Sequence, residues 1–335
     1  MRKIFFLLLV LCCVFNSNAQ IGGSSSFEFL SLRTSPRTIA LGGYLTAAID
    51  SDLNNGIYNP SLINSQMDGK IALNYINYYS DISYGDVGYC FNVRGRSFIS
   101  SMKFIDYGTF IETNELGHEI GSFDSGEYVF ALGTSHSILD SMWHVGVNAK
   151  CAYSSLYELN STAILLDFAI TYNYPFKDIV ASLIIKNLGY QINTYHQDIH
   201  DPLPFEISLG ISNRLEHMPL RWHLTFQHLE TPNLFFQNPN SSFTQENNNF
   251  GYNFFRHIVF GSELFIHKNV SILAGYNNRK RFEMIIQERR GLVGFSCGFA
   301  LKINRFQFYY SRALNHYSGA INSFGIVTNF KKNDS

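Results

Sequence analysis

The sequence predicts an all-β protein, a 14-stranded antiparallel transmembrane β-barrel with an N-terminal hatch segment inside its lumen. Three observations support this prediction. After the first twenty residues the chain has no run of about 18 apolar residues that could form a spanning helix. Charged residues make up 15% of the chain and aromatic residues 16%, whereas charged residues usually account for about 25%. From residue 70 onward, segments of roughly ten residues alternate between apolar and small or polar side chains, as in barrel strands with one face in lipid.

The first nineteen residues are typical of a signal peptide. Arg2 and Lys3 form a positive n-region, residues 4–15 form an apolar core, and Ala19 is a small residue suited to cleavage. We therefore expect the chain to be exported, cleaved near Ala19 and surrounded by outer-membrane lipid. Three widely spaced cysteines lie beyond this segment, and their odd number argues against a disulfide scaffold.

The pattern divides the chain into four parts. These are a signal peptide at 1–19, an N-terminal segment and hatch at 20–68, the transmembrane β-barrel at 69–330 and a C-terminal tail at 331–335. Fourteen candidate strands follow in the barrel part, and an even number is typical of single-chain bacterial barrels. They are 70–79, 84–93, 97–107, 126–138, 143–157, 162–175, 179–190, 204–215, 220–230, 257–268, 270–278, 291–303, 305–314 and 319–330.

The two faces of these strands favour a barrel in lipid over a soluble sandwich. Even positions from Leu220 to Phe226 are apolar, while odd positions from Arg221 to Gln227 are polar. A soluble sandwich also has period two, but its outer face carries many charges. Here the second face is mostly Gly, Ser, Asn, Thr and Ala with few charges, which suits a crowded lumen. A soluble periplasmic β-protein remains the alternative.

The connections between strands alternate in length from the second strand onward. Short turns separate connections at 108–125, 158–161, 191–203, 231–256, 279–290 and 315–318, of which four are long. Short turns at one end and long loops at the other are typical of outer-membrane barrels. An even strand count then returns the C-terminus to the side where the N-terminal segment begins.

Residues 37–63 lack the strand alternation and are predicted to form the hatch. Its Gly pair permits a tight turn or positive φ. The Asn-Pro step favours an extended backbone and can open a short helix at the proline. A surface loop beside a strand is the alternative. The structural residues predicted for the hatch are Gly42, Gly43, Asp50, Asn59, Pro60 and Ser61.

Two of the long loops are candidate interaction sites. The loop at 231–256 is rich in phenylalanine, and aromatic side chains anchor protein interfaces. The stretch at 279–290 is rich in basic residues, which suit anionic lipopolysaccharide or an acidic partner surface, although a solvated hairpin is the alternative. The docking candidates are Phe235, Phe236, Phe243, Phe250, Phe254 and Phe255. The candidates for anionic contact are Arg279, Lys280, Arg281, Arg289 and Arg290.

The sequence gives no sign of catalytic chemistry. It contains no H-E-x-x-H, P-loop or G-x-S-x-G motif. His196 and His200 are four residues apart, but they fall in a predicted loop, where histidines are usually solvated. The net charge of −1 gives no reason to expect nucleic-acid binding. We therefore expect no enzyme activity, no cofactor and no metal.

The hatch stretch also resembles a known family. The run 40–43, with Asp50 and the Asn-Pro-Ser-Leu at 59–62, resembles the hatch of FadL-like outer-membrane barrels, in which Gly-Gly leads to Asn-Pro-Ala. Ser61 departs from that pattern and favours the PorV–PorQ family of the type IX secretion system of Bacteroidetes, and its PorQ-type members most. Further resembling residues are 29–32, 73–78, 81–85 and 186–189.

The resemblance implies a function that the residue pattern alone does not. It implies an anchor or docking subunit for a PorZ-type surface subunit, with PorU and PorV in the same attachment complex. That complex links secreted cargo to anionic lipopolysaccharide, and its peptidase is PorU. The alternative is a FadL-like transporter of hydrophobic small molecules.

Overall fold

Fourteen antiparallel strands form one closed barrel, in which each strand pairs with its sequence neighbours and β1 pairs with β14. The computed structural model describes residues 25–79, 82–138, 142–174, 176–196, 199–234, 250–284, 291–316 and 319–330. None of the helices in these ranges combines the length and the hydropathy needed to cross a bilayer. The predicted fold class, a closed 14-strand antiparallel barrel, is confirmed.

The strand bounds agree with the predicted segments in number and order. The strands are β1 (Lys70–Asn77), β2 (Ser83–Val93), β3 (Arg96–Thr113), β4 (Glu119–Ile138), β5 (Trp143–Leu156), β6 (Leu159–Tyr174), β7 (Ile179–Asn193), β8 (Glu206–Arg214), β9 (Leu220–Phe226), β10 (Ile258–His267), β11 (Val270–Asn277), β12 (Phe295–Ile303), β13 (Phe306–His316) and β14 (Gly319–Asn329). The helices are α1 (Pro36–Ala40), α2 (Leu53–Tyr58), α3 (Phe250–Arg256) and α4 (Asn278–Glu283), and 3-10 turns span Glu28–Ser31, Pro60–Leu62 and Ser65–Met67.

The barrel wall has an apolar outer face. In β1, Leu73 and Tyr75 are exposed, whereas Ala72 and Asn74 beside them are buried. This alternation follows from the two-residue period of a strand, which sends successive side chains to opposite faces. The outer set is aliphatic and aromatic along most strands, which is the surface that lipid requires.

The inner face is mostly small and polar, with a few charged residues among them. The small residues leave room for the N-terminal residues. Six charged strand residues are buried in the described ranges: Asp86, Glu127, Asp167, Lys186, Glu206 and Glu263.

The third and fourth strands are longer than predicted. The predicted loop at 108–125 is wrong over most of its length, because β3 and β4 continue to pair from Thr109 with Asp124 to Thr113 with Glu119. Ring centroids of Phe110 and Phe123 lie 5.3 Å apart in this extension. Such cross-strand aromatic pairs stabilise a two-stranded ribbon.

Candidate functional site

Residues 27–67, here called the inner segment, are organised by short helices with local caps. Ser35 accepts a hydrogen bond from the Thr38 amide at 3.4 Å, and Pro36 occupies the first helical position of α1. Both features favour a helix start. The serine side chain accepts a hydrogen bond from a first-turn amide that has no partner within the helix, and the proline has no amide hydrogen to satisfy. Helix α1 ends at Ala40, and Gly42 and Gly43 follow with φ values of 87° and 94°, which match the positive φ expected for this pair.

The inner segment contacts opposite sides of the barrel. The Ser61 hydroxyl lies 2.6 Å from the Thr171 hydroxyl on β6. The Tyr309 hydroxyl on β13 donates to Asp52 at 2.9 Å. Because β6 and β13 are seven places apart in a ring of fourteen strands, the inner segment crosses the space that the strands enclose.

The glycine turn packs directly on the wall. Asn277 donates to the carbonyl of Gly42 at 3.0 Å, and the Gly42 amide donates to Ser296 at 3.0 Å. A Cβ added at Gly42 would lie 2.6 Å from Val259, and one added at Gly275 would lie 2.1 Å from the Gly42 nitrogen. Glycine on both sides is therefore what allows this close approach.

The Asn-Pro-Ser turn is fixed by the buried Asn59 side chain. Its amide group donates to the Thr46 carbonyl at 2.7 Å and to the Ser182 hydroxyl at 2.8 Å. Its amide oxygen accepts from the Ser61 amide at 3.0 Å. Pro60 begins the 3-10 turn, as the sequence indicates. The backbone here touches β5, since a Cβ at Gly146 would lie 2.2 Å from the Pro60 carbonyl carbon.

A buried charged group, here called the Arg37 cluster, joins the inner segment to β9 and β10. The guanidinium of Arg37 pairs with Asp50 at 2.8 Å, with Asp52 at 3.1 Å and with Glu263 at 2.9 Å. Asp50 also pairs with Arg221 at 3.2 Å. These are charge-assisted hydrogen bonds in a buried site, where they are stronger than at a surface.

The electrostatics of this cluster keep Arg37 and Asp50 charged. Burial acts to raise the pKa of Asp50, but Arg37 and then Arg221 outweigh it and hold the pKa below its ordinary value. Burial acts to lower the pKa of Arg37, and the carboxylates of Asp50 and Glu263 hold it well above its ordinary value instead. These two groups are therefore ionised at neutral pH.

Sequence reasoning found Asp50 but missed its partners. Arg37 and Glu263 are 226 residues apart, and no spacing rule in one sequence connects them. The available signal was an acidic residue at an inward position of a strand, because a buried carboxylate needs a cationic partner. Glu263 of the candidate strand 257–268 meets that criterion.

The phenylalanine candidates fall partly within the described residues. Phe250, Phe254 and Phe255 lie on α3, and all three are exposed. The rings of Phe250 and Phe254 are stacked with centroids 6.3 Å apart. Three others lie outside the described residues: Phe235, Phe236 and Phe243.

The basic candidates do not form one solvated group. Arg279 donates to Glu283 at 2.7 Å within α4, and Arg281 donates to the Val293 carbonyl at 3.4 Å. Lys280 is half-buried, and burial, then Arg33 and Arg279, lower its pKa to about 8. The other two lie outside the described residues: Arg289 and Arg290.

The two loops that carry these candidates meet at one end of the barrel. Tyr252 of α3 makes an edge contact with Phe282 of α4 at 6.3 Å between centroids. The guanidinium of Arg256 lies 5.1 Å from the same ring. Helices α3 and α4 therefore form a common rim, which also contacts the glycine turn of the inner segment through Asn277.

Comparison with known proteins identifies the fold. No protein-family model and no curated protein sequence matches this chain. Among solved structures, the toluene transporter TodX of Pseudomonas putida matches with a TM-score of 0.51 and 10% sequence identity, covering 89% of this chain and 99% of TodX. This chain shares the TodX fold.

A second similar structure is a FadL homologue of Pseudomonas aeruginosa, with a TM-score of 0.46, 8% identity and coverage of 89% of this chain and 98% of that one.

Proposed function

We propose that this chain is an outer-membrane anchor and docking subunit of a type IX secretion attachment complex, with a fixed hatch and a PorZ-type surface partner. PorU and PorV would belong to the same complex. The observation that carries the proposal is the set of buried ion pairs between inner segment and wall. Sequence resemblance to the PorQ-type members adds the identity of the partners.

The ion pairs support a hatch that stays in place. Arg37 meets Glu263 at 2.9 Å, and Arg33 meets Glu206 at 3.0 Å, with side chains that are nearly fully buried. Separating one buried pair costs about 3–5 kcal/mol because it leaves an uncompensated charge. Withdrawal of the inner segment would break both pairs, so a static closure is favoured over a gate.

The rim of α3 and α4 supports docking of a protein. Phe250 is 85% exposed, and Phe254 and Phe255 are exposed beside it on a seven-residue helix. Exposed aromatic side chains in one patch are typical of interface anchors. The rim lies at the end that carries the long connections, which is the external end in outer-membrane barrels. The nearby Arg279 and Arg281 suit a contact with anionic lipopolysaccharide.

A pull-down from outer membranes tests the docking role. The tagged variant carries serine at Phe250, Phe254 and Phe255. The control is Phe176→Ser, since Phe176 is 80% exposed in the turn between β6 and β7, at the opposite end. Loss of a PorZ-type partner from the triple variant alone supports the proposal. Equal recovery with both variants, or recovery of no secretion component with either, contradicts it.

The alternative is transport of hydrophobic small molecules, for which the observation in favour is the fold shared with the toluene transporter TodX. Purified protein in liposomes can be assayed for toluene uptake. We expect no uptake above that of liposomes without protein. Uptake that is abolished by tethering the inner segment to the wall would favour transport and a movable hatch.

A further inference from the structure

A small cavity with six charged residues in its lining lies between part of the inner segment and the wall. Its volume is about 40 Å³, which is room for about three water molecules. It lies apart from the Arg37 cluster and shares none of its residues. Its charged lining consists of Arg33, Lys103, Lys150, Lys186, Asp86 and Asp167.

The lining has an excess of positive charge. Its four basic residues face the carboxylates of Asp86 and Asp167, and Glu206 adds a third carboxylate through its pair with Arg33 at 3.0 Å. When all seven groups are ionised, four basic residues and three carboxylates leave one positive charge in a buried site. A buried net charge is costly unless a counter-charge lies beside it.

Three of the four cations have partners in the protein. Arg33 pairs with Glu206, as above. Lys103 donates to the carbonyls of Leu30 at 3.1 Å and Leu32 at 2.8 Å. Lys150 donates to Asn187 at 3.0 Å. These bonds hold the three side chains in place around the cavity.

Lys186 is the exception. Its side chain on β7 is 5% exposed and lines the cavity. Among the described residues its ammonium group makes no hydrogen bond or ion pair, and its nearest aromatic neighbour is Tyr58, with the ring centroid at 5.9 Å. An ammonium group has three donors to satisfy. Since the described residues offer Lys186 no acceptor, its acceptors must lie in the cavity, as water or as an anion.

We propose that this cavity binds a small inorganic anion of the size of chloride, with Lys186 as its main ligand. The volume suits an ion that replaces a few water molecules and is too small for a lipid headgroup. The anion would lie between Arg33 and Tyr58 of the inner segment and the lysines of β3, β5 and β7. It would thereby strengthen the attachment of the inner segment, whatever the docking partner of the barrel.

Bromide provides a direct test, because it replaces chloride and scatters anomalously. Crystals of the purified barrel grown in bromide are expected to show an anomalous peak within hydrogen-bond distance of Lys186 Nζ. The melting temperature of the detergent-solubilised barrel should also rise with chloride when gluconate keeps the ionic strength constant, since a ligand of the folded state stabilises it.

The Lys186→Met variant should bind chloride about tenfold more weakly or worse, because it loses a charged hydrogen bond. Lys302→Met, at an exposed position of β12, is the matched control and should keep the wild-type chloride response. Absence of a bromide peak in the cavity overturns the proposal, as does an equal chloride response in both variants. If Lys186→Met does not fold, the bromide experiment on the wild-type protein decides alone.

Discussion

Removal of Arg37 is the sharpest test of how the inner segment is held. In Arg37→Met, Asp50 keeps its ion pair with Arg221 at 3.2 Å, and Glu263 keeps Arg221 at 4.0 Å and a hydrogen bond with His223 at 2.6 Å. Asp52 keeps no cation and retains the Tyr309 hydroxyl at 2.9 Å. One buried carboxylate thus loses its charge partner, and we expect a loss of about 3–5 kcal/mol in the free energy of unfolding.

A surface pair of similar length is the control for this variant. Arg279 meets Glu283 at 2.7 Å, four residues along α4, with side chains 17% and 30% exposed. Such pairs contribute about 0.3–0.5 kcal/mol, so Arg279→Met should change stability little. The loss of unfolding free energy in Arg37→Lys should lie between those of Arg37→Met and Arg279→Met. A lysine keeps the charge but cannot form the same two-pronged set of hydrogen bonds.

Two measurements make the comparison. Denaturant unfolding of the refolded barrel in detergent, followed by tryptophan fluorescence, gives the free energies. Limited proteolysis reports whether the inner segment becomes accessible while the strands stay intact. Neutral surface changes usually alter the free energy of unfolding by no more than about 0.5 kcal/mol. If the unfolding free energies of Arg37→Met and Arg279→Met differ by less than this, and the inner segment stays protected from protease, the reasoning is refuted.

Three further predictions concern the same segment. The pKa of Asp50 is lower in the folded state, so its stabilisation is complete above the unfolded-state pKa of about 4 and is lost as pH falls through the folded-state value. Acid unfolding should show this loss in the wild type, and Asp50→Asn should lack that part of it. Gly146→Ala should destabilise the protein by about 1–3 kcal/mol in urea titrations, because its Cβ would lie 2.2 Å from the Pro60 backbone. Gly251→Ala in α3 is the control, since its Cβ would meet nothing within 4 Å. That variant should be neutral or stabilised by up to about 1 kcal/mol. Asn59→Ala should cost about 1–3 kcal/mol per buried group left unpaired, and a cost no larger than that of a surface Asn→Ala would contradict its buried role.

The strand count could be predicted because its cause is local. Lipid on one side and a filled lumen on the other require every strand to alternate, so the period-two signal repeats fourteen times. The error at β3 has an equally local cause. Gly108 has a φ of 79°, and the pairing register shifts between Asp106 and Thr109. This bulge interrupts the alternation, and the strand resumes beyond it.

The parts of the site that depend on backbone chemistry were also accessible from sequence. Gly42 and Asn59 have conformational preferences that a single sequence reveals. The ion pairs of Arg37 and the surroundings of Lys186 depend on which strands lie beside them in the closed barrel. A single sequence does not show which distant residues these strands bring together. The charged inward residues were visible in the sequence, but their partners were not.

The seam of the barrel has a consequence for assembly. Residues Lys70–Asn77 pair with Asn322–Asn329, so the circle is completed between stretches about 250 positions apart. Contacts of such long range form late and slowly. The wall around the inner segment is complete only once this pairing has formed. In the closed barrel, the inner segment can be withdrawn only along the barrel axis.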